Sequence, residues 1–297
     1  MSRSQRAGGT APRQVLRDQV GYPIGLGDAP DAPERLFVSG SLPAPDAPRV
    51  AIVGARAASA NGMDAARTLA AELAGQGAVI VSGGAIGIDA AAHRGALDAG
   101  GRTVAVLANG IDAPYPARNR PLFEAIRSQG GALVSPFLPG TPPRRWQFVR
   151  RNRIIAAWAD AVVVVEAESA SGALYTARAA LEFGRALGAR PGTPGCEALI
   201  AQGAAVVETA ADLQEALSGR PRRPDVAVPE PDSDLGMVLA ALDRESARSE
   251  DELTARTGLG ARAVSRALMG LELEGLAVPL PGRAYVRSGL ANELLAT

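Results

Sequence analysis

Two glycine turns and one run of arginines hold the chemistry-bearing residues of this 297-residue chain. The first turn closes Val50-Ala51-Ile52-Val53-Gly54-Ala55-Arg56, and the second runs through Ser82-Gly83-Gly84-Ala85-Ile86-Gly87-Ile88-Asp89 after Val79-Ile80-Val81. Each follows an apolar run that reads as a buried strand and precedes an alanine-rich helical stretch. A strand, a glycine turn and a helix N-terminus aim backbone N–H groups and a positive dipole end at one point, which suits a phosphate. Neither turn has GxGxxG spacing, and small-residue turns also serve packing alone. Residues 143–153, PRRWQFVRRNR, carry five arginines, two aromatics and no acid. Guanidinium forks pair with phosphate oxygens and aromatic faces accept stacked bases, so the interleaving suits a single-strand groove. The plain alternative is a solvated helix start, from which Trp146 and Phe148 would gain little.

Other candidates are weaker. Asp89 and His93 share a helix face at a spacing that acid–base work could use. With no nucleophile motif and no second histidine, a structural pair is preferred. Ser82 and Ser171 sit in glycine turns without the GxSxG elbow and are read as phosphate contacts. Thr176 lies at helical spacing behind Ser171, to contact a ligand or to bond back to its helix. Glu166 and Glu168 follow a strand and could suggest a carboxylate pair, but paired acid–base work is not favoured. Every one of the 31 basic residues is arginine, so P-loop lysines and Schiff bases are excluded. A single cysteine, Cys196, and a single histidine exclude an intrachain disulfide and a Cys- or multi-His zinc site. No metal or cofactor is expected. The formal net charge of zero means that nucleic-acid binding must rest on a local patch. Residues 1–20 lack a signal-peptide core, and the longest apolar-rich run, 154–167, is broken by Asp160. A cytoplasmic protein without a membrane partner is expected.

These residues need a scaffold. Apolar runs at 50–54, 78–82, 103–108, 132–135 and 161–166, with a weaker one at 205–208, predict strands. Helices are predicted near 61–76, 88–99, 119–129, 150–158, 172–187 and 196–202. The alternation predicts an α/β fold with a mostly parallel sheet covered by helices on both faces. Ligands gather at the carboxyl ends of such strands, so the two turns and Ser171-Gly172 should open on one crevice. Residues 1–20 read as disordered or loosely attached, 21–217 as the main domain and 218–233 as a proline-rich linker. In 234–297, three helices (234–242, 250–257, 261–274) and a hairpin follow in winged-helix order. Arg262 and Arg266 share a face of the third helix, as DNA contact would require. Seven arginines against nine acids in 234–297 make it a poor independent DNA binder, and a protein-contact or auxiliary role is preferred.

The segments IVGAR (52–56), SGGAIGIDAAAH (82–93), GIDAPYP (110–116), FVRRNRIIA (148–156), SGALYTA (171–177) and GCEALIAQGA (195–204) resemble, in order, those of the DprA/Smf DNA-processing family. The resemblance spans about residues 20–205. It implies a Rossmann-like domain that binds and protects single-stranded DNA and helps load a RecA-type recombinase in natural transformation, as a homodimer and not as an enzyme. Members often end in a winged-helix domain. Many also carry an N-terminal helical domain, which is not expected here. On this reading Gly54, Arg56, Ser82, Gly83, Gly84, Gly87, Ser171 and Gly172 cradle phosphates. Arg145, Arg151 and Arg153 supply charge, Phe148 stacks a base, and Asn152 either contacts the strand or holds its loop. Three departures stand out. Ile86 replaces a customary arginine, which implies that one phosphate ligand is missing or supplied from elsewhere. Glu197 replaces an asparagine, placing negative charge by a polyanion site, and Val149 replaces a proline. Two rivals are considered. A nucleotide-binding enzyme of the phosphoribohydrolase type would need PGGxGTxxE, which SGALYTA does not match. An adaptor that has lost DNA binding is the other.

Overall fold

The structure, a computed structural model, describes residues 12–17, 19, 21–23, 25–27, 29, 32–218, 229–243, 247–273, 276–280, 284–287 and 291. The chain divides into two compact units. In the first, the strands are β1 (Arg13–Leu16), β2 (Arg35–Gly40), β3 (Arg49–Val53), β4 (Val79–Ser82), β5 (Thr103–Val106), β6 (Ala132–Ser135), β7 (Ala161–Val164), β8 (Ala186–Ala189) and β9 (Ala205–Val206). The helices are α1 (Ala60–Gly75), α2 (Ile88–Asp98), α3 (Arg120–Ser128), α4 (Arg145–Trp158), α5 (Ala173–Glu182), α6 (Pro194–Ala201) and α7 (Ala210–Ser218).

The strands form one sheet in the order β1-β2-β6-β5-β4-β3-β7-β8-β9. β1 and β2 are antiparallel additions at one edge, and the remaining neighbours are parallel. The central strands are buried along their whole length, the reason they read as unbroken apolar runs. Val50, Ile52 and Ile80 turn to one face, where they pack with Ala66, Leu69 and Leu73 of α1 and Ala92 and Ala96 of α2. Right-handed crossovers place α1 to α3 on this face and α4 to α6 on the other, while α7, after β9, returns to the first face, where Ala210 and Leu213 pack with α1. The abundance of small residues has a cause here: a Cβ on Gly95 would run into the Arg67 backbone, so α1 and α2 approach closely.

Four expectations change. Residues 172–187 are not one helix: α5 ends at Glu182 and the chain enters β8. Ala186-Leu187-Gly188-Ala189 has no β-branched residue, so its pattern could not be told from a helix. α4 begins at Arg145, not near 150, because the side-chain oxygen of buried Gln147 accepts the Arg144 amide and starts the helix. α7 follows β9, with Thr209 and Asp212 closing its first turn. Within the stretch expected to be loosely attached, Arg13–Leu16 pairs with β2; residues 1–11, 18 and 20 lie outside the described residues.

In the second unit α8 (Asp234–Ala241), β10 (Arg248–Ser249), α9 (Glu250–Thr257), α10 (Ala261–Leu273), β11 (Ala277–Leu280) and β12 (Ala284–Arg287) follow in order. Val238, Leu253, Val264, Leu268 and Leu271 are fully buried together. A capping box between Ser249 and Glu252 starts α9, and Gly258 at φ 70° ends it. The predicted hairpin gains a third strand, β10, paired with β12. Of the expected linker, residues 219–228 lie outside the described residues, while Ser233 caps α8 through the Gly236 amide. Among the described residues no helix is long and apolar enough to cross a membrane.

Candidate nucleic-acid interface

The strand order runs from β3 through β4, β5 and β6 to one side and from β7 through β8 and β9 to the other. The crossover helices therefore change faces between β3 and β7, where such sheets open a crevice beyond their carboxyl ends. A cavity of about 460 Å³ lies there. Its walls include Gly54 and Arg56 after β3, Glu168, Ser171 and Gly172 after β7, Arg151 and Asn152 of α4, and Thr176 of α5. The two segments meet at the start of α1, where Ser59 accepts the Gly62 amide at 2.9 Å and Glu166 accepts the Ser59 hydroxyl at 2.7 Å. Glu166 is thus a cap for α1, while exposed Glu168 stands on the crevice rim.

The turn after β4 is held from within. Asp89, 6% exposed, accepts the amides of Gly83 and Ala85 at 3.2 Å each. Arg151, 4% exposed, donates through Nη1 to the carbonyls of Gly83 and Val106. Buried Asn119 donates to the carbonyls of Gly84 and Ala85. Burial raises the Asp89 carboxyl while the Arg151 charge opposes it; burial lowers Arg151 to about 10, against the pull of Asp89. Arg151 remains a cation at neutral pH. Both side chains hold the same turn, Asp89 accepting its amides and Arg151 donating to its Gly83 carbonyl.

This arrangement corrects several expected roles. Ser82 is fully buried and donates to the Ile52 carbonyl at 2.6 Å; it ties β4 to β3 and meets no solvent. Arg151 is a positioning residue for the turn. A Cβ on Gly83 would collide with the Arg151 guanidinium, and one on Gly87, at φ +81°, with the carbonyls of Ala55 and Arg56. Gly84, at φ +67°, packs on Phe123. Close packing accounts for these three glycines, and Gly54 is likewise hemmed in by Ile88 and the Glu166 carbonyl. His93 is also structural. Thr103 Oγ1 spends its proton on the Ile80 carbonyl, so it must accept from His93 Nδ1 at 2.6 Å. Burial lowers this imidazole to about 3, and its partner on α2, Asp89, is occupied with the turn.

The open residues lie on the other wall. Arg56 is exposed, and its guanidinium sits 4.7 Å above the Phe148 ring. Phe148 is half-buried, with Arg151 5.7 Å from its ring and Tyr115 meeting it edge-on at 6.3 Å. Arg145 is exposed at the first position of α4, and Arg153 is half-buried further along. Asn152 donates to the Gly172 carbonyl at 3.1 Å, so it holds the loop after β7 onto α4. Ser171 Oγ accepts the Ala173 amide at 3.3 Å at the start of α5. Thr176 is buried and its hydroxyl has no hydrogen-bond partner among the described residues; the bond back to its own helix is not made. Neither Ile86 nor Glu197 lines the crevice. The Glu197 carboxylate accepts the Gly192 amide at 2.7 Å. Three residues escaped the sequence reading: Asn119, Glu168 as a rim residue, and Tyr115. Nothing local marks Asn119, whereas Tyr115 in a proline-flanked loop without an apolar period is a readable sign of an exposed ring.

Comparison with known proteins fits this architecture. The sequence model described as DNA recombination-mediator protein A matches residues 13–218, and that of the DprA winged helix domain matches 220–283. A putative DNA processing protein DprA of Mycobacterium tuberculosis is 44% identical over 263 residues, 84% of this chain and 67% of the relative. Protein Smf of Escherichia coli is 40% identical over 287 residues, 92% of this chain and 76% of the relative. The X-ray structure of DprA from Streptococcus pneumoniae superposes with a TM-score of 0.65 at 38% identity, covering 69% of this chain and 74% of that one. A structure of DNA processing protein A from Helicobacter pylori, concerned with its single-stranded DNA binding mode, has a TM-score of 0.62 at 29% identity, over 69% of this chain and 96% of that one. Together with the switch-point crevice, the clamped glycine turn and the winged-helix order, these matches show that this chain belongs to the DprA/Smf family of DNA-processing proteins.

Proposed function

We propose that this protein binds single-stranded DNA along the crevice and the arginine-rich start of α4, and serves DNA processing in natural transformation. The observation that carries the reading is an arginine-lined crevice at the switch point, continuous through Arg56 and Phe148 with a helix start rich in arginine and without acid. The strand-binding mode described for the Helicobacter pylori relative supports it. Phosphates sit over Gly54, Ser171 and Gly172, where Arg56 and Asn152 reach them and the Thr176 hydroxyl has an unspent donor. Arg145 and Arg153 add charge along the strand. Protection of the strand, handover to a RecA-type recombinase and a homodimer built on the first unit follow from family membership and are proposed with it.

The winged-helix unit takes an auxiliary or protein-contact part. The third-helix residue Arg266 lies 3.7 Å from Asp234, and Ser265 donates to Glu250, so acids stand beside the face that DNA would need. A titration of labelled single- and double-stranded oligonucleotides followed by anisotropy at several salt concentrations tests the reading. Tighter binding to the single strand, weakening with salt, is expected; equal affinity for both forms would refute it.

A further inference from the structure

We propose that Trp146 and Tyr115 form a base-stacking platform on the two sides of the first turn of α4, outside the glycine crevice. The inference rests on the single-strand reading above. Only 4% of the residues are aromatic, yet two large rings stand out of the surface here: Trp146 is 47% exposed and Tyr115 48%. Each is braced from behind. Trp146 meets buried Phe137 edge-on, centroids 5.7 Å apart at 83°, and Tyr115 meets Phe148 at 6.3 Å and 73°. An edge-to-face brace fixes the outer ring while leaving its face open, so little rotamer freedom is lost when a base lands on it.

Phe148, the brace of Tyr115, has the Arg56 guanidinium 4.7 Å above its ring and that of Arg151 at 5.7 Å. Arg150 lies 6.0 Å from the Phe137 ring, so each brace has a cation beside it. The segments bearing the two open rings, 114–120 and 143–153, contain arginines and no acid. Apolar faces set among cations suit a ligand with flat rings on a polyanionic thread, which is single-stranded nucleic acid. A second copy of this chain would bring cations against cations.

The experiment uses the whole chain. The only other tryptophan, Trp158, is buried at 2% exposure, so a ligand stacking on the surface changes the emission of Trp146 alone. Adding an unlabelled oligonucleotide should quench that emission in step with the anisotropy of a labelled one. Trp146→Leu and Tyr115→Leu should each weaken single-strand binding about five- to a hundred-fold with the salt slope unchanged, and Trp146→Phe should restore most of the affinity. Because both side chains are exposed, melting temperatures should match the parent. Binding with wild-type affinity in both leucine variants and no quench would overturn the platform and leave the function reading standing. No oligonucleotide binding at any salt would overturn both. Emission that shifts with protein concentration and ignores the oligonucleotide would make the patch a contact between copies and overturn the platform.

Discussion

The two turns that look alike in the sequence, after β3 and after β4, end in opposite conditions. The turn after β4 is clamped by three buried side chains, Asp89, Asn119 and Arg151, which take up its amides and carbonyls. The turn after β3 leaves Arg56 exposed on the crevice wall beside Gly172. A polar side chain near a glycine turn can therefore build the turn or serve its ligand. Burial decides which, because a buried polar group must find its partners inside the protein. The clamped turn is the rigid floor of the crevice, and under the proposed function the other wall is the one that meets the strand.

Substitutions separate the two roles. The largest effect is expected at Arg151. Arg151→Leu leaves the Asp89 carboxylate buried without its counter-charge and should lower stability by roughly 3–5 kcal/mol in urea unfolding. A variant as stable as the parent would break the comparison, since Arg151 would then be a surface cation in solution.

Acid comes next. A histidine in the unfolded chain takes a proton near 6.5, whereas folded His93 stays neutral to about 3. Its contribution to stability is therefore complete above pH 6.5 and is lost as pH falls toward 3, at no more than about 1.4 kcal/mol per pH unit. Burial raises Asp89, which acts in the opposite sense, so the test is a difference. Between pH 7 and 5 the parent should lose more stability than His93→Gln, and parallel curves would sink the assignment.

Smaller effects sharpen the contrast. Ser82→Ala leaves the Ile52 carbonyl without its donor and should lower stability by about 1–3 kcal/mol. Ser171→Ala should shift stability by less than about 0.5 kcal/mol while reducing single-strand affinity, measured by urea midpoint and anisotropy on the same samples. Arg56→Ala should leave the fold intact and lower the slope of log affinity against log salt by about 0.7, one phosphate's share; an unchanged slope would remove Arg56 from the interface. The smallest effect is expected in the winged-helix unit, where Arg262→Ala should leave single-strand affinity within error. A clear drop in affinity there would assign DNA contact to α10.

Much of the scaffold was legible. β3, β4, β5, β6 and β7 announce themselves because strands buried on both faces need continuous apolar runs. β8 was hidden by its alanine–glycine composition, and β1 by its shortness and polarity at the sheet edge. The helical phase of α4 carried a usable signal for the fate of one arginine. Arg151 stands three, four and seven residues before Ile154, Ile155 and Trp158, all buried, so it shares their face. Arg150, on another phase, is exposed.

The sequence by itself determined the α/β alternation, the two glycine turns at strand ends, the winged-helix order and the family, because apolar periodicity and glycine placement are local properties of the chain. Only the tertiary structure decided which polar residues face solvent. That choice depends on strands and helices distant in sequence closing over one turn, as when Arg151 reaches Gly83 and Val106 from α4. A guanidinium carries the same letter wherever it lies. What differs is the set of carbonyls and carboxylates that folding brings within its reach.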